Sequence, residues 1–501
     1  MPRNTRCFTL LLVITGLIMS SCSVPSSEHV VLLPVKDDPT ISFRIWFKVG
    51  SQNDPEGKEG LAALTASLMT EGATEKRSYD EIIEAMYPMA AGYGSSVDKD
   101  MTVIVGRVHR DNIEEYYGLL TDALLHPAFR EEDFDRIRSN MRNGIEKGLR
   151  YANDEELGKA AFYNLVYEGT RYGHLETGTL SSLDAITLDD VRAFYQKWYT
   201  RENVVIGLGG GYDNSLVSRL ESDLQTLPEG AAQQPDPPAP MPIEGLEMLV
   251  VEKECDATAI SFGFPISVLR GDEDFYALAL FNSWFGEHRN SSSHLYQVIR
   301  EARGMNYGDY SYIEIFPNGG RRQMPAPNNA RRQQLFEVWL RPVQHAHRHF
   351  ALRAAMRELQ LVIDNGLTEE QFELTKKFLD KYALQYAKTT SDRLGYAVDS
   401  KFYGITGDYI ELFRRKIAAL TREQVNDAIR RHLRTDRVKF AVVTSDAESF
   451  KNALVANAPS PVTYDTPKPP EVLEEDMIIS TYALPFSEEN IRILPVDDMF
   501  R

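Results

Sequence analysis

The sequence predicts an α+β fold made of two duplicated halves, each an antiparallel sheet covered by helices. Three observations lead to this prediction. Residues 185–208 combine a capped helix with a buried strand, and residues 419–443 repeat this plan. Strand-like text opens each half, at Ile41 and at Ala257. A stretch rich in proline, alanine and glutamine separates the halves, as expected of a linker.

The helix–strand units carry the clearest local signals. Thr187 precedes a helical pattern as an N-cap, and Thr421 with Gln424 forms a capping box. Runs of β-branched and apolar residues begin at Val204 and near Val438, as expected for buried strands. The two caps are 234 residues apart.

A second pair of helices supports the duplication. Long amphipathic helices are predicted to open with the acidic residues at Glu131 and Glu369, 238 positions apart. Because two independent registers agree within a few residues, we infer that one domain was duplicated.

These signals divide the chain into domains. Residues 29–225 form the first domain, 226–245 the linker and 246–455 the second domain. Residues 456–501 are acidic and rich in proline, so we expect an extended tail or docking arm.

Composition excludes one class of partner. The 501 residues are 43% hydrophobic and 26% charged, with a net charge of -18. Phosphate backbones require a basic surface, so we expect no nucleic-acid partner. The length favours more than one domain.

The N-terminus predicts export. Residues 1–21 contain two arginines and an apolar run too short to span a bilayer, which is typical of a signal peptide. Met19 to Cys22 resembles a bacterial lipobox, which implies a lipid on Cys22, and Ser23 favours the outer membrane. The alternative is an ordinary cleaved signal peptide. With Cys22 processed and lipidated, Cys255 would be the remaining free thiol, without a disulfide partner.

Two stretches of the chain resemble a known family. The stretches ISFRIWFKVGSQNDPEGKEGLAALTASLMTEGAT and HLETGTLSSLDAITLDDVRAFYQKWY are similar to the insulinase/pitrilysin-type zinc peptidases, peptidase family M16. The likeness is to the two-domain branch that includes mitochondrial processing peptidase and bacterial periplasmic homologues, and it covers about residues 29–455. It implies two similar α+β domains arranged as a clam-shell.

The resemblance also implies a zinc site that this sequence lacks. The family motif is His-x-x-Glu-His on a helix, followed by a further Glu ligand. Its histidine positions fall here on Ala63 and Ser67, its first glutamate on Ala66 and its last on Asn143, with Glu146 the alternative one turn later. Methyl, hydroxyl and amide groups neither hold zinc nor act as a general base. We therefore expect no metal in this chain.

A second family feature is retained. Arg300 and Tyr307 have the family's spacing of seven, with Gly304 between them. The resemblance implies that this pair reaches across a chamber and donates hydrogen bonds to a bound peptide. The alternative is a surface arginine and a strand tyrosine. Residues 90–106 align with the family's edge strand that pairs with substrate, although they also fit a plain turn and edge.

The main hypothesis is therefore a non-catalytic M16 subunit, held at a bacterial membrane by its lipid anchor only and located in the periplasm. A partner M16 chain with an intact His-x-x-Glu-His would supply zinc, and the substrate would be a peptide or unfolded protein. The alternative is a binding scaffold without any proteolytic role. A third hypothesis, an active peptidase with an atypical metal site, requires ligands that the sequence does not offer.

Overall fold

The computed structural model describes residues 29–231, 233–317, 319 and 321–501, so the predicted signal peptide and Cys22 lie outside the described residues. The strands of the first half are β1 (Val30–Pro34), β2 (Thr40–Phe47), β3 (Gly92–Val97), β4 (Thr102–His109) and β5 (Val204–Gly210). Its helices are α1 (Leu61–Glu71), α2 (Tyr79–Met86), α3 (Ile113–Leu125), α4 (Glu131–Asn143), α5 (Arg150–Ala152), α6 (Asp154–Val166), α7 (Leu180–Ala185), α8 (Leu188–Trp198) and α9 (Asn214–Leu224).

The second half contains the strands β6 (Leu246–Glu252), β7 (Thr258–Ile266), β8 (Asp309–Tyr312), β9 (Gln334–Val343), β10 (Val438–Thr444) and β11 (Ile491–Pro495). Its helices are α10 (Glu273–Gly286), α11 (Arg348–Asn365), α12 (Glu369–Tyr382), α13 (Thr390–Phe402), α14 (Tyr409–Ala419), α15 (Arg422–His432), α16 (Ala447–Val455) and α17 (Pro470–Ser480).

The predicted α+β class with two similar halves is confirmed, but both sheets are mixed where we expected antiparallel ones. Their strand orders are β1-β5-β2-β4-β3 and β11-β6-β10-β7-β9-β8. The pairs β1 with β5, β6 with β10 and β11 with β6 are parallel, and the remaining pairs are antiparallel. The first and last strands of each half meet only after the whole intervening chain, and so long a connection permits parallel pairing.

Capping explains why the repeated helices begin where they do. The Thr187 hydroxyl accepts from the Asp190 amide at the start of α8, and the Thr421 hydroxyl accepts from the Gln424 amide at the start of α15. The following strands, β5 and β10, begin 234 residues apart, as the caps predict. Among the described residues, no helix is long and apolar enough to cross a membrane.

The two halves exchange a helix. Helix α6 of the first half packs on the second sheet, and α13 of the second half packs on the first sheet. Polar contacts accompany this packing: Tyr163 on α6 donates to Glu337 on β9 at 2.5 Å, and Arg44 on β2 donates to Ser391 on α13 at 3.2 Å. Each sheet thus buries one face against a helix of the other half, which makes the halves one packed unit.

The C-terminal residues differ from the extended tail that composition predicts. They form helix α17 and strand β11, and β11 pairs in parallel with β6. The last residues then return to the first half, where Met499 and Phe500 join its hydrophobic core. Alternating apolar residues between prolines drive this edge pairing, a signal that the proline content hid.

Candidate functional site

A cavity of about 750 Å³ lies between the two halves. The first half contributes Ser96 and Val97 of β3 and Lys159 and Tyr163 of α6. The second half closes the other side with the connection between β8 and β9, which brings in Phe316. The cavity has the size and mixed lining of a ligand site.

A buried ion network ties the cavity wall together across the halves. Arg331, from the connection between β8 and β9, donates from Nη2 to Asp98 Oδ2 and to Glu176 Oε1, each at 3.0 Å. The Lys99 ammonium lies 3.1 Å from Glu176. Burial would raise the pKa of Glu176, but Lys99 and Arg331 outweigh it and lower the pKa to about 2. Glu176 therefore stays ionised near neutral pH.

Helix α1 begins at Leu61 because a half-buried aspartate and a glycine form its N-terminus. Asp54 accepts from the Gly60 and Ala62 amides, each at 2.7 Å. Burial raises the pKa of Asp54 to about 8 against the lowering effect of these amides. Gly60 has φ 95°, and a Cβ there would lie 2.6 Å from the Thr177 carbonyl oxygen. Only glycine fits this position.

The motif positions on α1 carry no chemistry. Ala63 and Ser67 lie one turn apart on its half-buried face, and Ala66 is fully buried. A methyl group has no lone pair, and a lone serine hydroxyl does not hold zinc, so this donor set does not fit the metal of the family. Throughout the described part of the chain, no group of three His, Cys, Asp or Glu side chains is arranged to hold a metal ion.

The two candidate positions for the last metal ligand lie where α4 ends, at Asn143, and in the π-helical segment Gly144–Leu149 that continues it, at Glu146. Asn143 and Glu146 are exposed, whereas Met141 and Ile145 line the cavity. A π-turn adds a residue to the helical repeat, so counting along the sequence does not show which side chain faces inward. The inward positions are apolar and add no ligand.

The predicted edge strand is at the end of its sheet. Strand β3 pairs only with β4 among the described strands, and its Ser95 hydroxyl accepts from Thr70 on α1 at 3.2 Å. One edge of β3 is therefore open beside the cavity, next to α1. An open edge can pair with an extended peptide without any particular side chain.

Arg300 and Tyr307 do not line the cavity of their own chain. Tyr307 is 79% exposed, and Arg300 donates to Glu301 at 2.9 Å with its guanidinium 5.4 Å from the Tyr296 ring. Gly304 adopts φ 69° between them and reverses the chain after the helical turn. Tyr307 is therefore exposed and Arg300 half-exposed, both outside the cavity.

Two family models match the chain. Residues 30–179 match the insulinase model of peptidase family M16, and residues 185–379 match the peptidase M16 inactive domain. The fold and these matches define a protein of the M16 class. The chain belongs to peptidase family M16.

Known relatives are similar but distant. An uncharacterized zinc protease of Streptomyces coelicolor is 24% identical over 70% of this chain and 73% of its own length. A Helicobacter pylori protein named a non-peptidase homolog is 20% identical over 80% of this chain and 88% of its own.

Solved structures share the fold. A peptidase M16 inactive domain from Pseudomonas fluorescens has a TM-score of 0.73 at 24% identity, covering 84% of this chain and 97% of that one. A protease from Helicobacter pylori has a TM-score of 0.70 at 16% identity, covering 83% and 96%.

Proposed function

We propose that this chain is the non-catalytic, substrate-binding subunit of a two-chain M16 peptidase. A partner chain with an intact His-x-x-Glu-His supplies zinc and the general base, and a lipid on Cys22 holds this chain at the periplasmic face of the outer membrane. The substrate is a peptide or an unfolded protein segment. The name of the Helicobacter pylori relative, a non-peptidase homolog, agrees with the missing catalytic groups.

One observation carries the proposal: Arg300 and Tyr307 both lie outside the cavity, half-exposed and exposed, while α1 lacks every catalytic group. A guanidinium and a phenol on an exposed surface can donate to a peptide carbonyl or a developing oxyanion on another chain. They cannot act on a peptide inside this chain's own cavity, since neither side chain lines it.

The test is purification of the tagged chain from its native envelope, followed by a peptidase assay. We expect a second M16 chain with an intact motif to copurify. The variants Arg300→Ala and Tyr307→Phe should lower kcat/KM by about a hundredfold, the usual effect of removing one oxyanion donor.

Tyr87→Phe is the matched control, because Tyr87 is also an exposed tyrosine, at 85%, but lies in the first half. It should leave the rate unchanged. A stable native complex without any zinc peptidase chain would instead support the scaffold function. An unchanged rate in both variants would remove Arg300 and Tyr307 from substrate binding.

A further inference from the structure

The two sheets differ at one edge. In the second sheet β6 is covered by the tail strand β11, whereas in the first sheet β1 is the last strand and pairs only with β5 among the described strands. Open strand edges bind further strands unless they are blocked. Among the described residues, no strand takes the place beside β1 that β11 takes beside β6.

The strand registers show which residues of β6 are equivalent to β1. β5 and β10 are equivalent, and Ile206 pairs with Val30 as Phe440 pairs with Met248. β11 pairs with residues 248–252, which are thus the equivalents of the whole of β1. The pairing of β11 with β6 is therefore a template for a strand that would pair with β1 over the same length and in the same direction.

The backbone of β1 offers hydrogen bonds at this edge. The Ile206 amide donates to the His29 carbonyl at 2.8 Å, and the Val35 amide donates to the Gly210 carbonyl at 2.9 Å. Because alternate residues of a strand direct their backbone groups to opposite sides, Val30 and Leu32 point theirs away from β5. In the second half, the Val438 amide donates to Gly245, which directs the equivalent groups of β6 towards β11 in the same way.

A groove of about 620 Å³ runs along this edge of β1. The consecutive residues 30–33 all line it, as expected for a groove at a strand edge, since one face would show alternate residues only. Its other wall is α13 with the chain that leads to α14, including Tyr396 and Ala397. The exchanged helix α6 takes the equivalent place in the second half, where Arg492 of β11 lies 3.0 Å from Glu168 just after α6.

One cation of the groove is unpaired within the described residues. Arg393 lies 3.6 Å from Asp408, which also lines the groove, whereas Lys401 has no ion pair there. An acidic group on an incoming segment would complement Lys401.

We infer that this groove binds an extended segment of a partner protein, which adds to the first sheet as a strand parallel to β1. The template defines its chemistry: about five residues with apolar side chains at alternating positions, flanked by an acidic residue. This is β-augmentation on the sheet edge opposite β3, and it does not depend on the proposed peptidase role.

The probe is the template itself, a labelled peptide of residues 489–497, ENIRILPVD, titrated into the full chain by fluorescence anisotropy. In a parallel ladder Val250 bonds to the residues on either side of its partner Ile493, so the Leu494 amide points at β6 and the Ile493 amide points away. N-methylation of Leu494 should weaken binding at least about fivefold, the loss of one hydrogen bond.

N-methylation of Ile493 is the matched control and should leave affinity unchanged. Ala397→Trp fills the groove and should abolish saturable binding, which also excludes exchange of the peptide with the chain's own β11. Equal weakening by both methylated peptides, or full binding to the Ala397→Trp chain, would overturn the inference. A dimer of the chain that closes the groove to the peptide would contradict the assignment to a partner.

Discussion

Arg303 donates from Nε to Asp476 Oδ1 at 2.7 Å and so joins the segment that carries Arg300 to the C-terminal helix α17. The same guanidinium donates from Nη2 to Glu475 at 2.8 Å and from Nη1 to the Val298 carbonyl at 2.7 Å. Arg303 is 4% exposed. The tail is therefore a clamp on the segment that we propose to bind substrate.

Replacement of this buried cation should be costly. Arg303→Met leaves the buried Asp476 with a hydrogen bond from the Tyr464 hydroxyl but no ion pair among the described residues. We expect the free energy of unfolding to fall by about 3 kcal/mol, measured by urea denaturation. Arg300→Met is the matched control: it lies three residues earlier, is half-exposed and pairs only with Glu301 among the described acidic residues, so its effect should stay below about 0.5 kcal/mol. Equal effects would show that the tail is not a clamp.

The ion network of the cavity should make the free energy of unfolding decrease at acidic pH. The folded pKa of Glu176 is lowered to about 2 from an ordinary value of 4.5. A lowered pKa contributes stability above the unfolded value that is lost as the pH falls from about 4.5 towards 2. Arg331→Met should lower the free energy of unfolding by about 3 kcal/mol at pH 6.

The difference between wild type and Arg331→Met should shrink at pH 3, where Glu176 no longer gains as much from its cationic neighbours. Urea denaturation at the two pH values measures this. A difference that is the same at pH 3 and pH 6 would mean that Arg331 does not act through the carboxylates of the network.

Asp309 should have the opposite effect on the pH dependence of stability. Burial raises its pKa to about 8, with Asn306 offsetting part of the effect, and its Oδ2 atom has no hydrogen-bond partner. A raised folded pKa means that the native state holds the extra proton, so this group's contribution to stability falls as the pH rises from about 4 through 8.

Asp309→Asn mimics the protonated acid and does not titrate. Thermal unfolding should give nearly equal Tm values for variant and wild type at pH 5, and a higher Tm for the variant at pH 8.5. If wild type is the more stable protein at pH 8.5, the buried carboxylate has a partner that we have not identified.

The glycine at the N-terminus of α1 should be important for stability. Gly60→Ala places a methyl group against the Thr177 carbonyl at a left-handed φ, and we expect a loss of about 3 kcal/mol in the free energy of unfolding. Gly57→Ala is the matched control, because Gly57 also has positive φ, 77°, but no atom lies within 4 Å of its added Cβ. It should cost about 1 kcal/mol. Equal costs would mean that the contact with Thr177 yields easily.

Local signals predicted the fold where they were strong. Thr187 and Thr421 mark helix starts through their own hydroxyls, and the strands that follow are continuous apolar runs, so the duplication was readable. Strand β11 was missed because its partner β6 is more than 200 residues away and its flanking prolines are typical of a coil.

The sequence likewise predicted one part of the candidate site and not the rest. Loss of the metal groups at Ala63, Ala66 and Ser67 was visible in the sequence, since the chemistry depends on residue type alone. Arg331 and Asp98 are 233 residues apart, and no local pattern connects them. Residue spacing also does not show that Tyr307 is exposed and lies outside the cavity.

Helix α1 has kept its packing, but its residues no longer fit a zinc ion. The most direct test is the zinc content of the purified, dialysed full chain by mass spectrometry, together with its peptidase rate. We expect less than about 0.1 zinc per chain and no hydrolysis by the chain alone, because four-coordinate zinc requires at least three protein ligands at a catalytic site. One zinc per chain, with hydrolysis that a chelator abolishes, would contradict this expectation.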